Sequence, residues 1–314
     1  MVRSPDVLAI VGPTAVGKSG IADGVARTLG AEIVSADSMQ VYRGMDVGTA
    51  KTPPAQRSVP YHCIDLLDPG TPYSAALFQA DARTAIDALR VRGVPSVLVG
   101  GTGLYVRAAL DTMEFPSGET TSSIRFELER RATVEGPRAL HDELTRLDPA
   151  SAALVHPNNT RRVIRALEML AAGTSYAKQA SGFSRRTFHY AETTLIGLTL
   201  ERGELYHRID ERVDTMVDTG LLDEVQRLLE RGFADALTST QAIGYKELVP
   251  VLRGQADPSA AIDEIKRSTR RYAKRQLAWF RADPRVSWLD VTGLSTPEAI
   301  DSVLDLLEST GHSA

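Results

Sequence analysis

The stretch GPTAVGKS, from Gly12 to Ser19, carries the clearest chemistry in the chain. Gly12, four residues, then Gly17, Lys18 and Ser19 is the spacing of a loop whose successive backbone N–H groups turn inward around phosphate oxygens. Pro13, Thr14, Ala15 and Val16 make up the rest of its rim. The N-terminus of the helix that follows adds partial positive charge, Lys18 adds a full one, and the Ser19 hydroxyl suits a Mg²⁺ ligand. Any diphosphate or triphosphate satisfies these groups, so the motif implies a phosphate ligand without implying a nucleotide.

Three other places hold reactive groups. Asp37 closes the apolar segment EIVSA; at a strand end beside a phosphate site it suits a magnesium ligand, a general base or a cap of its own loop. Enzymes acting on ATP or GTP usually carry the Mg²⁺-binding Asp at the end of a second apolar strand, but here SVLV runs into Gly100, Gly101 and Thr102 instead. The Thr102 hydroxyl suits either a hydrogen bond to a leaving phosphate oxygen or the N-cap of GLYVRAAL. Arg208 and Arg212 lie one helical turn apart in ELYHRIDERVDTM. They would either clamp an anion together or sit on a solvated face with Asp210, Glu211 or Asp214.

The elements that must position these groups can be read from hydrophobic spacing. VLAIV at 7, EIVSA at 32, VPSVLVG at 94 and TTLIGLTL at 193 read as buried strands. Helical stretches separate the first three, notably the one from Tyr73, which predicts right-handed crossovers and a mostly parallel sheet. The expected fold class is therefore α/β, a doubly wound core with a phosphate-binding loop. Ligands in such sheets bind beyond the carboxyl ends of the strands, and those ends carry GPTAVGKS, ADSMQVY and GGTGLY. Short helices rich in arginine follow from 113 to 190, read as a helical insertion into a core made of 1–112 and 191–314. VSWLDV at 286 is a possible last edge strand.

At 314 residues with 43% hydrophobic content the chain has ample apolar material for a substantial core. One cysteine, Cys63, excludes an internal disulfide and a multi-cysteine zinc site. No apolar run approaches the ~18 residues of a membrane span, and the expected location is cytoplasmic. The net charge of −4 argues against uniform attraction to nucleic acid and leaves only local basic patches. One is IKRSTRRYAKRQLAWFR, from Ile265, where Lys266, Arg267, Arg270, Arg271, Lys274, Arg275 and Arg281 stand among aromatic residues without an acid between them. Such a segment suits an RNA backbone or is simply a soluble helix face. NNTRRVIR at 158 is a second basic run.

In order along the chain, GPTAVGKS, SADSMQVYRGMDVGTAK, YHCIDLLDP, YSAALFQADA, VLVGGTGLYVRAAL, HPNNTRRVIRALEML, QAIGYKEL and YAKRQLAWFR resemble the tRNA dimethylallyltransferase family. The resemblance runs from about Ile10 to Trp288. It implies that the loop from Gly12 to Ser19 holds the diphosphate of dimethylallyl diphosphate, with Lys18 and Thr102 near the leaving group, and Mg²⁺ as cofactor. Asp37 would be the base toward the exocyclic amine of the adenine 3′-adjacent to the tRNA anticodon, with Ser38, Met39 and Gln40 around that base. Arg125, Arg161, Arg162, Arg165, Gln241, Gly244, Tyr245, Lys246, Lys274, Arg275, Gln276 and Arg281 fall in segments that contact tRNA in the family. No stable protein partner is implied. The residues themselves leave two rivals: a small-molecule kinase and a prenyltransferase acting on free adenine nucleotides.

Overall fold

The computed structural model describes residues 5–115, 123–184, 186–231 and 242–311. The chain forms two compact units: one from the segments up to Leu110 and from His189 onward, the other Asp111–Phe188.

The first unit is built on six strands, β1 (Val7–Val11), β2 (Glu32–Ser35), β3 (Tyr61–His62), β4 (Ser96–Gly100), β5 (Thr193–Thr199) and β6 (Ser287–Asp290). They pair in the order β3-β2-β4-β1-β5-β6 and every pairing is parallel. All five residues of β1 are buried, as a central strand covered on both faces requires. Val11 pairs with Gly100 and with Gly197, and Ser35 with Val99, so β1, β2 and β4 end at one level. The loops at Gly12, Asp37 and Gly101 therefore leave the sheet side by side.

Helices α1 (Lys18–Leu29), α2 (Ala75–Val91) and α3 (Gly103–Leu110) follow β1, β3 and β4. One apolar core joins Leu8, Ile10, Ile21, Val25 and Ile196 to α13 (Thr296–Gly311) through Val303 and Leu307. The strands read from hydrophobic runs are present, and VSWLDV supplies β6. The two-residue β3 is too short for any periodicity to show. After β5 come α9 (Arg202–Asp218), α10 (Leu221–Glu230), α11 (Tyr245–Leu252) and α12 (Pro258–Arg281). Asp257 caps α12 by accepting from the Ala260 N–H at 2.9 Å, with Pro258 in the first turn, where no N–H is missed.

The second unit contains α4 (Ser123–Val134), α5 (Pro137–Leu147), α6 (Pro149–Leu154), α7 (Thr160–Ala171) and α8 (Tyr176–Ser184). They surround a core of Leu128, Leu140, Leu144, Val155, Val163 and Leu167. The buried Glu168 takes both arms of Arg125, at 2.9 and 2.7 Å. Arg125, expected to contact tRNA, is thus also paired inside the unit, as a buried carboxylate demands a partner. Arg161 and Arg162 are exposed on α7, while Arg165 lies 3.8 Å from Glu168.

Candidate active site

The phosphate loop is shaped by close backbone approaches. Gly12 has φ +147°, and a Cβ there would stand 2.6 Å from the backbone oxygen of Leu198. Gly17, at φ +96°, forms the left-handed entry to α1 that a side chain would strain. Lys18 folds back over the loop, its Nζ donating to the Pro13 carbonyl at 2.6 Å. Gln276 on α12 then ties two loops together. Its Oε1 accepts from the Thr14 N–H at 2.8 Å and its Nε2 donates to the Gly101 carbonyl at 2.9 Å. Gly101 has no room for a Cβ because that amide occupies the space. Gln276 is only 5% exposed, so its expected place among the tRNA contacts gives way to a clamp within the protein.

Asp37 opens the loop after β2. Its Oδ1 accepts from the Met39 N–H at 2.8 Å and from Gln40 at 3.4 Å, while no hydrogen bond to Oδ2 is made by the described residues. One oxygen thus caps the loop, on a residue that lines the site. Thr102 does not cap α3 through its hydroxyl. That oxygen accepts instead from the Ser38 N–H at 3.2 Å, pinning the Asp37 loop to the end of β4. Gln40 accepts from the Ser35 hydroxyl at 3.1 Å and donates to the Thr49 carbonyl at 3.2 Å, bracing the far side.

Two adjoining hollows meet at these residues. The inner one, of about 70 Å³, is lined by Lys18, Ser19, Gln40, Tyr61 and Gly100 among others. The outer one, of about 410 Å³, is lined by Met39, Gly48, Gly244, Lys246 and Arg275 among others. Thr14, Asp37, Thr49, Arg212 and Tyr272 line both, so they stand where the two join. Two cations serve this junction. Burial, then the neighbouring Arg212, push Lys18 down to about 7 against the pull of Asp37. Burial also lowers Arg212, which Asp37 opposes. Both shifts describe cations withdrawn from water around a single carboxylate, an arrangement that an incoming anion would relieve. Burial and then Asp37 raise Tyr272 to about 12, so its phenol stays a neutral donor.

Arg208 is not among the residues around either hollow; it pairs with Glu204 at 2.5 Å, and only its neighbour Arg212 turns inward. Tyr245 is buried and donates to Glu224 at 2.6 Å, so it forms the wall rather than a surface contact, while Gly244 and Lys246 line the outer hollow. Gln241 lies outside the described residues. The long basic segment on α12 divides in two. Arg270 pairs with Asp210 at 2.5 Å, Lys266 with Asp214 at 2.6 Å, and Arg267 and Arg271 with Glu264. Lys274, Arg275 and Arg281 are exposed and have no ion-pair partner among the described residues.

A family model described as IPP transferase matches residues 40–283, and one described as isopentenyl transferase matches residues 5–58. The chain belongs to the IPP transferase family. A tRNA dimethylallyltransferase of Geobacillus thermodenitrificans is 46% identical over 288 residues, covering 91% of this chain and 90% of that one. The crystal structure of the full-length tRNA isopentenylpyrophosphate transferase from Bacillus halodurans aligns with TM-score 0.72 and 44% identity, over 98% of this chain and 96% of that one. A eukaryotic dimethylallyltransferase whose structures are described as acting on tRNA aligns with TM-score 0.79 and 27% identity, over 96% of this chain and 79% of that one.

For this member of the IPP transferase family, hydrophobic spacing did not single out Tyr272, Thr49 or Glu224. Tyr272 lies inside the basic segment, where its charged neighbours dominate the pattern. Thr49 follows Gly48 in a stretch with no periodicity, and Glu224 sits in an ordinary amphipathic helix. Among the described residues no cluster of three or more His, Cys, Asp or Glu is placed to hold a metal ion, and no helix is long and apolar enough to cross a membrane.

Proposed function

We propose that this chain transfers a dimethylallyl group from dimethylallyl diphosphate to the exocyclic amine of the adenine 3′-adjacent to a tRNA anticodon, releasing diphosphate. Family membership and relatives named tRNA dimethylallyltransferase support the transfer and the tRNA substrate. The single structural observation that carries the chemistry is Asp37 at the junction of a cationic inner hollow and a larger outer one.

The diphosphate lies in the inner hollow against Lys18, Arg212 and the N–H groups of the loop from Gly12 to Ser19. The target base, extruded from its stack, enters through the outer hollow. The amine nitrogen attacks the allylic carbon, the carbon–oxygen bond to diphosphate breaks, and the nitrogen's proton passes to Asp37. An aryl amine is a weak nucleophile, so in-line placement supplies much of the rate. Lys18 and Arg212 take up the charge that grows on the departing diphosphate.

Ser19 also lines the inner hollow, and one hydroxyl beside diphosphate oxygens and water suits Mg²⁺, which is rarely caged by protein ligands alone. Bound there, the ion would neutralise part of the diphosphate charge. Its protein ligand would be Ser19.

Unmodified tRNA, dimethylallyl diphosphate and Mg²⁺ provide the test. The expected result is one prenyl-sized mass gain on a single adenosine, with one diphosphate released and no nucleoside triphosphate added. A requirement for ATP, or equally fast prenylation of free adenine nucleotides, contradicts the proposal.

A further inference from the structure

The loop that lines the outer hollow at Gly48 and Thr49 is held by a side chain from a distant helix. Glu224 on α10 is 3% exposed and accepts from three successive backbone N–H groups. Its Oε2 takes Asp46 at 2.9 Å and Val47 at 2.8 Å, and its Oε1 takes Gly48 at 3.0 Å. The same Oε1 receives the hydroxyl of Tyr245, the first residue of α11, at 2.6 Å. Burial and the adjacent carboxylate raise the Tyr245 phenol far above its ordinary value, which keeps it a donor. A carboxylate with four donors loses little by leaving water, whereas removal of one donor leaves buried charge less well matched.

The contact also governs residue type. A Cβ on Gly48 would stand 2.5 Å from the Tyr245 ring, so the loop and α11 meet with no atom to spare. From this point the bracing continues inward. Thr49 passes its carbonyl to Gln40, and Gln40 takes the Ser35 hydroxyl just before Asp37. Outward, Tyr245 stands between Gly244 and Lys246 on the rim of the outer hollow.

We propose that Glu224 and Tyr245 are positioning residues that couple the rim of the outer hollow at α11 to the loop surrounding the target base, so that tRNA docking at Gly244 and Lys246 sets the geometry at Asp37. Glu224 lines neither hollow, and Tyr245 stands in the wall of the outer one with its hydroxyl turned to Glu224, so both act through the 46–49 backbone. The inference rests on the function proposed above, because it assigns the outer hollow to the nucleotide.

The test uses full-length wild type, Tyr245→Phe and Glu224→Gln, with the same tRNA and dimethylallyl diphosphate. Tyr245→Phe keeps the ring and removes one donor; Glu224→Gln turns an NH₂ toward N–H groups that need an acceptor. The expected result is a fall in kcat/KM for tRNA of roughly 10-fold for Tyr245→Phe and more for Glu224→Gln. Pyrophosphate affinity should stay within about 2-fold of wild type in both. The double variant should lose less than the two single losses multiplied, since both act on one contact. Wild-type tRNA kinetics in Tyr245→Phe overturn the inference, as does an equal loss of pyrophosphate affinity, which would mean general loosening of the fold. If Glu224→Gln does not fold, Tyr245→Phe alone decides. Absence of product from wild type would instead overturn the functional reading.

Discussion

The inner and outer hollows are walled by different means. Around the inner one, backbone comes close to backbone: Gly12, just past β1, against Leu198 of β5, and Gly100, the last residue of β4, against Ala36, just past β2. Around the outer one, side chains reach across from helices late in the chain, as Glu224 and Tyr245 do toward residues 46–48. A pocket made by neighbouring strand ends holds its shape through the sheet itself. One made by reaching side chains depends on a few hydrogen bonds and can respond to whatever docks on those helices. The rigid part suits the small, invariant diphosphate, and the adjustable part suits a large partner.

The largest test of this contrast within the inner hollow is Lys18→Ala. Removing a charged donor beside the phosphates should weaken pyrophosphate binding by roughly 10- to 100-fold. Affinity for tRNA, which the proposed function places on the outer residues, should change by no more than a few-fold. Equal losses in both would dissolve the division between the hollows.

The same lysine makes binding depend on pH. Lys18 sits at about 7 in the native protein against an ordinary value of 10.5, so between these the folded state binds fewer protons than the unfolded one. Its contribution makes stability rise with pH across that window. A bound diphosphate favours the ammonium, so binding at pH 8 should take up a proton and weaken as pH climbs toward 9. Calorimetry in two buffers of different ionisation enthalpy measures the uptake. Lys18→Ala should abolish that part of it, and an unchanged uptake would remove Lys18 from the diphosphate.

A smaller effect separates the two halves of the basic helix. Lys274→Ala with Arg275→Ala removes exposed charges that have no ion-pair partner among the described residues. The salt dependence of tRNA binding should become shallower by about one unit or less per contact, with the melting temperature unchanged. Arg270→Ala strips Asp210 of its partner and should do the opposite. Because both side chains are partly exposed, the stability loss should be no more than about 1 kcal/mol, with a salt slope near that of wild type. A slope change for Arg270→Ala as large as that of the double variant would show that pairing does not sort these charges.

How legible each part was follows from the same contrast. GPTAVGKS, Asp37 and the strands at 7, 32, 94 and 193 are short-range patterns, and periodicity locates them without any knowledge of partners. The roles of Gln276 and Glu224 depend on contacts 262 and about 177 residues away along the chain, which no local spacing records. Read as a sequence, the segment from Ile265 is uniformly basic. Folded against α9, Arg270 and Lys266 become ion pairs with Asp210 and Asp214, because those acids lie on a helix that arrives from elsewhere, while Arg267 and Arg271 pair with Glu264 just ahead of them in α12. The pairing of Arg125 is hidden for the same reason, its partner Glu168 being three helices on.

The claim that the reaction takes place where the two hollows meet is tested most directly at Asp37, which lines both. Single-turnover prenylation by Asp37→Ala should be measured beside tRNA and pyrophosphate affinities for the same protein. The account predicts turnover lower by roughly 10²-fold or more with both affinities within a few-fold of wild type, because a proton acceptor is lost and a binding surface is not. Near-normal turnover, or a loss traceable wholly to weaker tRNA or pyrophosphate binding, would contradict it.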